Sequence, residues 1–317
     1  MTVYGPIPSR RLGRSLGINN ISSKVCSYSC VYCQAGRTTR LQTECRAFFN
    51  PRQIAAEVVH RVDKLRARGE TVDFLSFVPN GEPTLDAHLG ETIELLKPLD
   101  IRIAVITNAS LLWRKEVREE LAKADWVSVK VDTVRETVWR ALNRPHPSLR
   151  FQTILEGILL FSTMFRGELE TETMLVGGMN DSGSDLEQTA EFISRVKPRR
   201  ARLAAPVRPP AEAGVEVPPE YSLNWGFQIY REYGIAAELL LGYEDSAFSS
   251  TGDAAEDLLG ITAVHPMRKD ALEEFLARTH RDWGTVRHLI DKGLLSEVEY
   301  RNNRFYIARP AGKVQRL

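Results

Sequence analysis

The chain has 317 residues, of which 43% are hydrophobic and 26% charged, and a formal net charge of +1. This composition predicts a globular protein with a sizeable core, and it excludes a partner recognised through a global charge bias. The start of the chain lacks a basic head followed by an apolar run, and no stretch approaches the roughly 18 apolar residues of a membrane span. We therefore expect a cytoplasmic protein that does not enter a membrane.

All four cysteines fall between Cys26 and Cys45. Disulfide scaffolds are small and dense in cysteine, and this chain is neither. A short cysteine-containing stretch in a chain of this size instead indicates a metal centre, or reactive thiols, in a reducing compartment.

Short β-rich runs alternate with longer amphipathic runs from residue 72 to residue 208, which is typical of βα units around a parallel sheet. Six strands are predicted, at Leu16–Ile21, Asp73–Val78, Arg102–Thr107, Trp126–Val131, Glu170–Leu175 and Ala201–Ala205. The predicted fold class is α/β, with a partial (β/α)6 TIM-like barrel whose ligands lie at the C-terminal ends of the strands.

A helix is predicted between the first two of these strands, from Pro51 to Arg68. Its apolar residues, among them Ile54 and Val58, recur at helical spacing on one face. Asn50 suits the capping position, and Pro51 suits the first turn.

The composition shifts to Pro, Ala, Glu and Gly at residues 206–219, which indicates a long connection out of the barrel. A helix from Ser222 to Tyr233 is predicted after it. Helices from Met267 to Ala277 and from Trp283 to Lys292 then precede a hairpin from Ser296 to Ala308, with Asn302-Asn303 at its tip. This order predicts a small α+β winged-helix-like domain. The predicted parts are a barrel domain at 1–210, a connecting segment with a helix at 211–256, and the winged-helix-like domain at 257–317.

Cys26, Cys30 and Cys33 form a C-x3-C-x2-C motif in the loop after the first predicted strand. Three thiolates this close in sequence are soft donors that favour an iron–sulfur cluster or zinc. Structural zinc normally takes four protein ligands, and Cys45 does not stand at a matching spacing. A cluster with one iron left open to a small molecule is the favoured interpretation, and zinc is the alternative.

This motif, with Tyr32 directly before the third cysteine, resembles the radical S-adenosylmethionine (radical SAM) superfamily from Tyr4 to about Arg208. The resemblance implies a [4Fe–4S] cluster on Cys26, Cys30 and Cys33, whose fourth iron binds the amino and carboxylate groups of S-adenosylmethionine. It implies reductive cleavage to a 5′-deoxyadenosyl radical, with an external electron donor of the flavodoxin or ferredoxin type. Tyr32 would lie near the adenine.

A second motif, Asn80-Gly81-Glu82-Pro83, follows the second predicted strand. It resembles the Gly-Gly-Glu segment of the superfamily, with Asn80 in place of the first glycine. The resemblance implies that Glu82 meets the ammonium group of S-adenosylmethionine and that Gly81 lets the backbone approach closely.

Four further cofactor-binding candidates stand at the ends of the third and fourth predicted strands. By the same resemblance, Asn108 and Ser110 are candidates for contacts with the methionyl or ribose groups. Lys130 is a candidate for the carboxylate and Asp132 for a ribose hydroxyl, and a solvated salt bridge between the two is the alternative.

Three more segments resemble an uncharacterised branch of Fe–S oxidoreductases related to the wyosine-synthesis enzymes of transfer RNA. They are Tyr4–Gly13, Ala141–Pro145 and Arg208–Glu212. The wyosine enzymes hold a second cluster with further cysteines, whereas only Cys45 remains here, so a second cluster is not supported. We interpret Cys45 as a partly buried thiol, and a thiol or hydrogen-atom donor as the alternative.

The predicted function is a radical SAM enzyme of the oxidoreductase type that acts, as a monomer, on an unknown substrate, with a nucleotide in RNA as one candidate. The alternatives are an iron–sulfur sensing regulator that binds nucleic acid, and a peptide- or protein-modifying radical SAM enzyme. The terminal module offers basic side chains for nucleic acid, but Glu273, Glu274, Glu297 and Glu299 dilute them, so protein contact or a lid is equally favoured. The basic residues are Arg287, His288, Lys292, Arg301, Arg304, Lys313 and Arg316.

Overall fold

The computed structural model describes residues 2–241, 248 and 253–309. These residues form thirteen strands: β1 Val3–Ser9, β2 Gly13–Ile18, β3 Val25–Cys26, β4 Arg40–Leu41, β5 Phe74–Phe77, β6 Arg102–Thr107, β7 Trp126–Lys130, β8 Glu168–Met174, β9 Arg200–Ala204, β10 Ala237–Leu240, β11 Met267–Arg268, β12 Leu295–Tyr300 and β13 Asn303–Ala308. They also form ten α-helices: α1 Pro51–Arg66, α2 Leu89–Leu96, α3 Lys115–Leu121, α4 Glu136–Asn143, α5 Phe151–Met164, α6 Gly183–Val196, α7 Glu220–Glu232, α8 Ala254–Val264, α9 Lys269–Arg278 and α10 Trp283–Asp291. Lys313 and Arg316 lie outside the described residues.

Eight strands form the main sheet, in the order β1-β2-β5-β6-β7-β8-β9-β10. Every neighbouring pair from β2 to β10 is parallel, and only β1 runs antiparallel, against β2. Helices join successive parallel strands, so the C-terminal ends of these strands lie at one edge of the sheet. The predicted α/β architecture with a partial barrel is confirmed.

Two strands of this sheet were not predicted. β1 contains Pro6 and Pro8, which weaken a strand signal, and it is tolerated because it is an edge strand. β10 is four residues long and lies within the segment predicted as a connection, so the sheet continues past residue 210. The division of the chain into three domains stays a prediction.

Helix α1 begins as predicted and ends two residues earlier. The side chain of Asn50 accepts a hydrogen bond from the N–H of Arg52, and Pro51 occupies the first turn. Ile54 and Val58 are buried in the main core. None of the described helices has the length and apolar character that crossing a bilayer requires.

The residues from 253 to 309 build a second core beside the main one. Here α8, β11, α9, α10 and the β12–β13 hairpin follow one another, and the sheet order is β11-β13-β12. The hairpin turns at Arg301 and Asn302, both with positive φ, because Asn303 already pairs with Tyr300. The predicted tip was therefore one residue too late. Helix α8 was not predicted, and the identification as a winged-helix-like domain stays a prediction.

This terminal unit packs directly on the barrel. Tyr4 and Ile7 of β1 belong to the same core as Leu258 and Ile261 of α8. At the end of α8, the carbonyl of Val264 accepts a hydrogen bond of 3.0 Å from the side chain of Gln34. The carbonyl of Ala263 accepts one of 3.0 Å from the side chain of Asn80. The last turn of α8 thus lies beside the two loops that carry the sequence motifs.

Candidate cofactor site

The cysteine loop runs from β3 to β4 and holds Cys26, Cys30 and Cys33, all three partly buried and free of disulfides. Within the loop, the N–H of Cys33 bonds the carbonyl of Cys30 at 3.2 Å, and the N–H of Gly36 bonds the carbonyl of Cys33 at 2.9 Å. These tight turns bring the three cysteines together at the edge of the sheet where the parallel strands end.

Two of the segments that resemble the wyosine-related branch form backbone hydrogen bonds with this loop. The N–H of Ser29 bonds the carbonyl of Asn143 at 3.0 Å, and the N–H of Val31 bonds the carbonyl of Leu142 at 2.9 Å. The carbonyl of Val31 in turn accepts a bond of 3.0 Å from the N–H of Glu212. Backbone hydrogen bonds from Ala141–Pro145 and Arg208–Glu212 therefore hold the cysteine loop in place.

Two side-chain amides point at cysteine sulfurs. The Nδ2 of Asn108 lies 3.5 Å from the Sγ of Cys26, and the Nδ2 of Asn143 lies 3.4 Å from the Sγ of Cys30. Asn143 was not among the predicted site residues. Its segment was recognised, but the sequence did not reveal that its side chain would reach a sulfur.

The charges around the thiols fit an iron–sulfur cluster. Burial raises the pKa of Cys26, and it raises the pKa of Cys30 to about 12. Metal binding requires thiolates, so a metal would have to displace these protons. The buried ammonium group of Lys24 has no hydrogen-bond partner among the described residues, and it interacts electrostatically with Cys26 and Cys33. Burial lowers the pKa of Lys24, whereas negative charge on the two neighbouring sulfurs raises it, so a cluster that is anionic overall would favour the charged ammonium.

The donor set itself also suits a cluster. Three thiols of one loop are soft donors, and the sulfur of Cys26 interacts electrostatically with those of Cys30 and Cys33. The thiolates of a cubane cluster bind different irons, so they need not converge on one point. The three cysteines therefore fit the cluster that the sequence predicts.

Glu82 is 1% exposed and is held by the protein itself. Its Oε1 accepts hydrogen bonds from the hydroxyl of Thr107 at 2.6 Å and from the hydroxyl and N–H of Thr84 at 2.7 and 3.1 Å. Its Oε2 accepts a bond of 2.7 Å from the N–H of Asn108. The carboxylate thereby ties the loop after β5 to the loop after β6. Contact with a ligand ammonium stays a prediction, and Oε2, with a single partner here, is the atom it would use.

Gly81 is required where the second motif touches the cysteine loop. It forms a parallel bridge with Val25, and the N–H of Glu82 bonds the carbonyl of Val25 at 3.1 Å. A Cβ at Gly81 would lie 2.0 Å from that carbonyl oxygen. Only glycine permits this approach.

Asn108 and Ser110 both face the cysteine loop. The hydroxyl of Ser110 is buried and lies 2.6 Å from that of Ser27. The Nδ2 of Asn108 also donates to the hydroxyl of Ser27, at 2.9 Å. These contacts hold the residue next to Cys26, and the predicted contacts of Asn108 and Ser110 with S-adenosylmethionine stay predictions.

Tyr32 and Asp132 form one buried unit. The hydroxyl of Tyr32 donates to Oδ2 of Asp132, which also accepts a bond of 2.7 Å from the amide of Asn143. The Oδ1 of Asp132 accepts a bond of 2.9 Å from the N–H of Met174. Both carboxylate oxygens are thus engaged by protein donors. The predicted contacts with ribose and adenine stay predictions, whereas the structure shows the pair joining the cysteine loop to the ends of β7 and β8.

Lys130 belongs to a buried ion network and not to a solvated surface pair. Its Nζ lies 3.2 Å from Oε1 of Glu172 and 3.6 Å from Oδ1 of Asp132. The guanidinium of Arg11 bonds Oε2 of Glu172, with Nε at 2.7 Å. Burial would raise the pKa of Glu172, but the charges of Arg11 and Lys130 outweigh it and lower the pKa to about 2. Neither Glu172 nor Arg11 was predicted as a site residue.

Cys45 lies apart from this network as a partly buried thiol. Its Sγ donates to the carbonyl of Thr84 at 3.4 Å and accepts from Arg114 at 3.6 Å. Burial raises the pKa of Cys45, so the thiol form is favoured. These contacts agree with the interpretation of Cys45 as a plain thiol.

A cavity of about 260 Å³ opens next to the third cysteine. Cys33 and Tyr32 line it on the side of the cysteine loop, Arg10 comes from the turn between β1 and β2, and Arg208 follows β9. His265, directly after α8, also lines it. The cavity therefore lies between the barrel and the terminal unit.

Asp86, in the turn after the second motif, makes a pH-dependent contribution to stability that we expect to be measurable. Burial raises the pKa of Asp86 from 3.8 to about 6. Its contribution to stability is full below pH 3.8 and is lost as the pH rises through 6. The variant Asp86→Asn should therefore be more stable than the wild type by about 2 kcal/mol at pH 7.5.

The Asp86→Asn experiment has an internal control, because the difference should vanish near pH 4. Urea unfolding at both pH values measures it. The new asparagine keeps the bond of 3.0 Å from the N–H of His88 on its Oδ1 and gives up the bond of 3.1 Å that the Nδ2 of Asn20 donates to Oδ2 of Asp86. This loss of about 1 kcal/mol is why the expected gain is below the roughly 3 kcal/mol that the pKa shift alone would give. Equal stabilities at pH 7.5, or a gap that persists at pH 4, would contradict this account of Asp86.

The chain is similar to known proteins in both sequence and fold. Residues 20–193 match the model of the Radical SAM superfamily. The chain is 42% identical over 310 residues to UPF0026 protein MJ1312 of Methanocaldococcus jannaschii, an alignment that covers 97% of this chain and 96% of that protein.

Two solved structures share the fold. A radical SAM methyltransferase from Sphaerobacter thermophilus has a TM-score of 0.53 at 19% identity, over 72% of this chain and 66% of that chain. A structure of TYW1 with a lysine–pyruvate adduct bound has a TM-score of 0.53 at 16% identity, over 70% and 75% of the two chains. Members of the radical SAM superfamily use a [4Fe–4S] cluster and S-adenosylmethionine. Since the family model spans more than half of the sequence, the chain belongs to the radical SAM superfamily.

Proposed function

We propose that this protein holds a [4Fe–4S] cluster on Cys26, Cys30 and Cys33 and cleaves S-adenosylmethionine reductively to start radical chemistry. The observation that carries the proposal is the set of three partly buried thiols at the sheet edge, with side-chain amides directed at two of the sulfurs. When bound, the cluster would supply one electron that breaks the bond between the sulfur and C5′ of S-adenosylmethionine, giving methionine and a 5′-deoxyadenosyl radical. An external one-electron donor of the flavodoxin or ferredoxin type would reduce it.

The residues of this chain position the reactants and keep water out. Glu82 would accept the ammonium of S-adenosylmethionine on Oε2, as a charge-assisted hydrogen bond. Tyr32, whose ring lies 5.1 Å from the Nζ of Lys130, would face the adenine. Lys130 would hold the carboxylate and Asp132, through its position at the end of β7, the ribose. Asn108 and Ser110 would complete the site from the loop after β6.

Tyr32 and Lys130 also line the cavity beside Cys33, so we assign this cavity to S-adenosylmethionine together with the reacting group of the substrate. A volume of about 260 Å³ leaves room beside the cofactor for one small reacting group and not for a folded segment. An RNA substrate would therefore have to insert a single nucleotide, as enzymes that modify bases do. The position of His265 in the lining favours a role of the terminal unit at this site over a role as a separate DNA reader.

The test of the proposed function is anaerobic reconstitution with iron and sulfide. We expect bound iron, absorption in the visible region and, with S-adenosylmethionine and a strong reductant, release of 5′-deoxyadenosine. The variant Cys30→Ala should lose all three, by more than about tenfold, because one ligand of the cluster is removed. Liquid chromatography measures the nucleoside.

Cys45→Ala is the matched control, since it removes a thiol of the same stretch that contacts Thr84 and Arg114 instead. It should keep the cluster and the cleavage. A wild-type protein that takes up no iron–sulfur cluster, or a Cys30→Ala protein that equals it, would disprove the proposed function.

A further inference from the structure

The amides of Asn108 and Asn143 contact the cysteine loop from two different parts of the fold. Asn108 follows β6, and Asn143 is the last residue of α4. Their Nδ2 atoms lie 3.5 Å and 3.4 Å from the sulfurs of Cys26 and Cys30. Each contact therefore belongs to a different sulfur and a different element of the fold.

The other contacts of Asn143 fix the orientation of its amide. The Nδ2 lies 2.7 Å from Oδ2 of Asp132, so one of its two hydrogens is directed there. The second hydrogen is directed toward Cys30 and the hydroxyl oxygen of Tyr32, which is 3.3 Å away. Asn143 is 3% exposed, so water does not compete for this hydrogen.

The Asn108 amide is oriented in the same way. Its Oδ1 accepts a bond of 3.0 Å from the N–H of Ser110, which turns the Nδ2 toward the cysteine loop. One hydrogen is directed to the hydroxyl of Ser27 at 2.9 Å and the other toward Cys26.

We propose that Asn108 and Asn143 set the reduction potential of the cluster by donating N–H hydrogen bonds to the sulfurs of Cys26 and Cys30. Reduction adds one electron, and part of its negative charge resides on the sulfurs. An N–H dipole directed at a sulfur stabilises the reduced cluster more than the oxidised one, and therefore raises the potential. This inference rests on the proposed function, because it requires the cluster on these cysteines. Both asparagines act on the cluster indirectly, through the sulfurs of Cys26 and Cys30, and are therefore positioning residues and not catalytic ones.

The test compares reconstituted wild type, Asn143→Leu and Asn108→Ala in a redox titration without S-adenosylmethionine, followed by electron paramagnetic resonance. At one fixed applied potential, the ratio of reduced to oxidised cluster should fall about three- to tenfold in each variant. The change is this small because the potential depends only on how much stronger the hydrogen bond is in the reduced cluster than in the oxidised one. The double variant should show the product of the two effects, because the two contacts do not share a sulfur.

Asn180→Leu is the control. Its buried amide donates to the carbonyls of Asp132 and Met174, at 2.8 Å each, and its loss disturbs the same wall of the site through backbone contacts. Its ratio should stay within about twofold of the wild type, since no ligand contact changes.

The outcomes separate the two proposals. If the wild type forms no cluster, the proposed function fails. If the clusters form with the same iron content and the ratios equal that of the wild type, the inference about the asparagines fails alone. Loss of the cluster in both Asn143→Leu and Asn108→Ala would also overturn the inference about the asparagines. The two residues would then be needed to hold the cysteine loop for cluster binding, and not to tune the reduction potential.

Discussion

Replacing Glu172 by glutamine should destabilise the protein by about 3 kcal/mol at pH 7, because two largely buried cations, Arg11 and Lys130, lose the carboxylate that they share. The pKa of Glu172 is about 2 in the folded protein and 4.5 ordinarily. Its stabilising contribution is therefore complete above pH 4.5 and is lost as the pH falls toward 2. Urea unfolding of both proteins at pH 7, 4 and 3 measures this effect.

The control for Glu172→Gln is Glu168→Gln in the same strand. Glu168 also joins two arginines, Arg102 at 2.8 Å and Arg199 at 3.5 Å, but its side chain is 32% exposed and theirs are 47% and 66% exposed. Such pairs contribute about 0 to 1 kcal/mol, so this variant should be close to the wild type. If the difference in the free energy of unfolding between Glu172→Gln and the wild type stays constant from pH 7 to pH 3, the lost packing, and not the charge, causes the effect.

Replacing Gly81 by alanine should cost about 3 kcal/mol or more, since the new Cβ would stand 2.0 Å from the carbonyl oxygen of Val25 and 2.6 Å from Ile21. Backbone cannot give way here without moving Cys26, the next residue of β3. The variant should therefore lose cluster binding together with stability. Thermal unfolding and iron content after reconstitution measure the two effects.

Gly214→Ala is the control for Gly81→Ala. A Cβ at Gly214 meets nothing within 4 Å, so the change should alter stability by less than about 0.5 kcal/mol. A Gly81→Ala protein with wild-type stability and full iron content would mean that the motif and the cysteine loop are not in the close contact described above.

The parts of the fold that follow from local patterns were predicted correctly. Alternating β-rich and amphipathic runs predicted the six parallel strands from β2 to β9, and the capping signals of Asn50 and Pro51 predicted where α1 begins. The cysteine loop was found because its three thiols lie within eight residues of sequence, so their spacing alone indicates the chemistry.

What the sequence did not reveal depends on contacts between distant residues. Arg11 and Glu172 are 161 positions apart and come together only because the β1–β2 turn reaches the end of β8. Asn143 reaches Cys30 across 113 positions. No periodicity or spacing encodes such pairs. Helix α8 was missed for a related reason: its hydrophobic residues face β1, at the opposite end of the sequence, and give little amphipathic signal of their own.

The shared core of β1 and α8 also constrains how the molecule reaches its native state. Tyr4 and Ile7 pack against Leu258 and Ile261, so about 250 residues separate the partners. During synthesis, the edge strand cannot complete its packing until α8 has been made, however early the intervening βα units form. Contacts of such high sequence separation form slowly. Until α8 packs against it, the apolar face of β1 stays exposed and can contact non-native apolar surfaces.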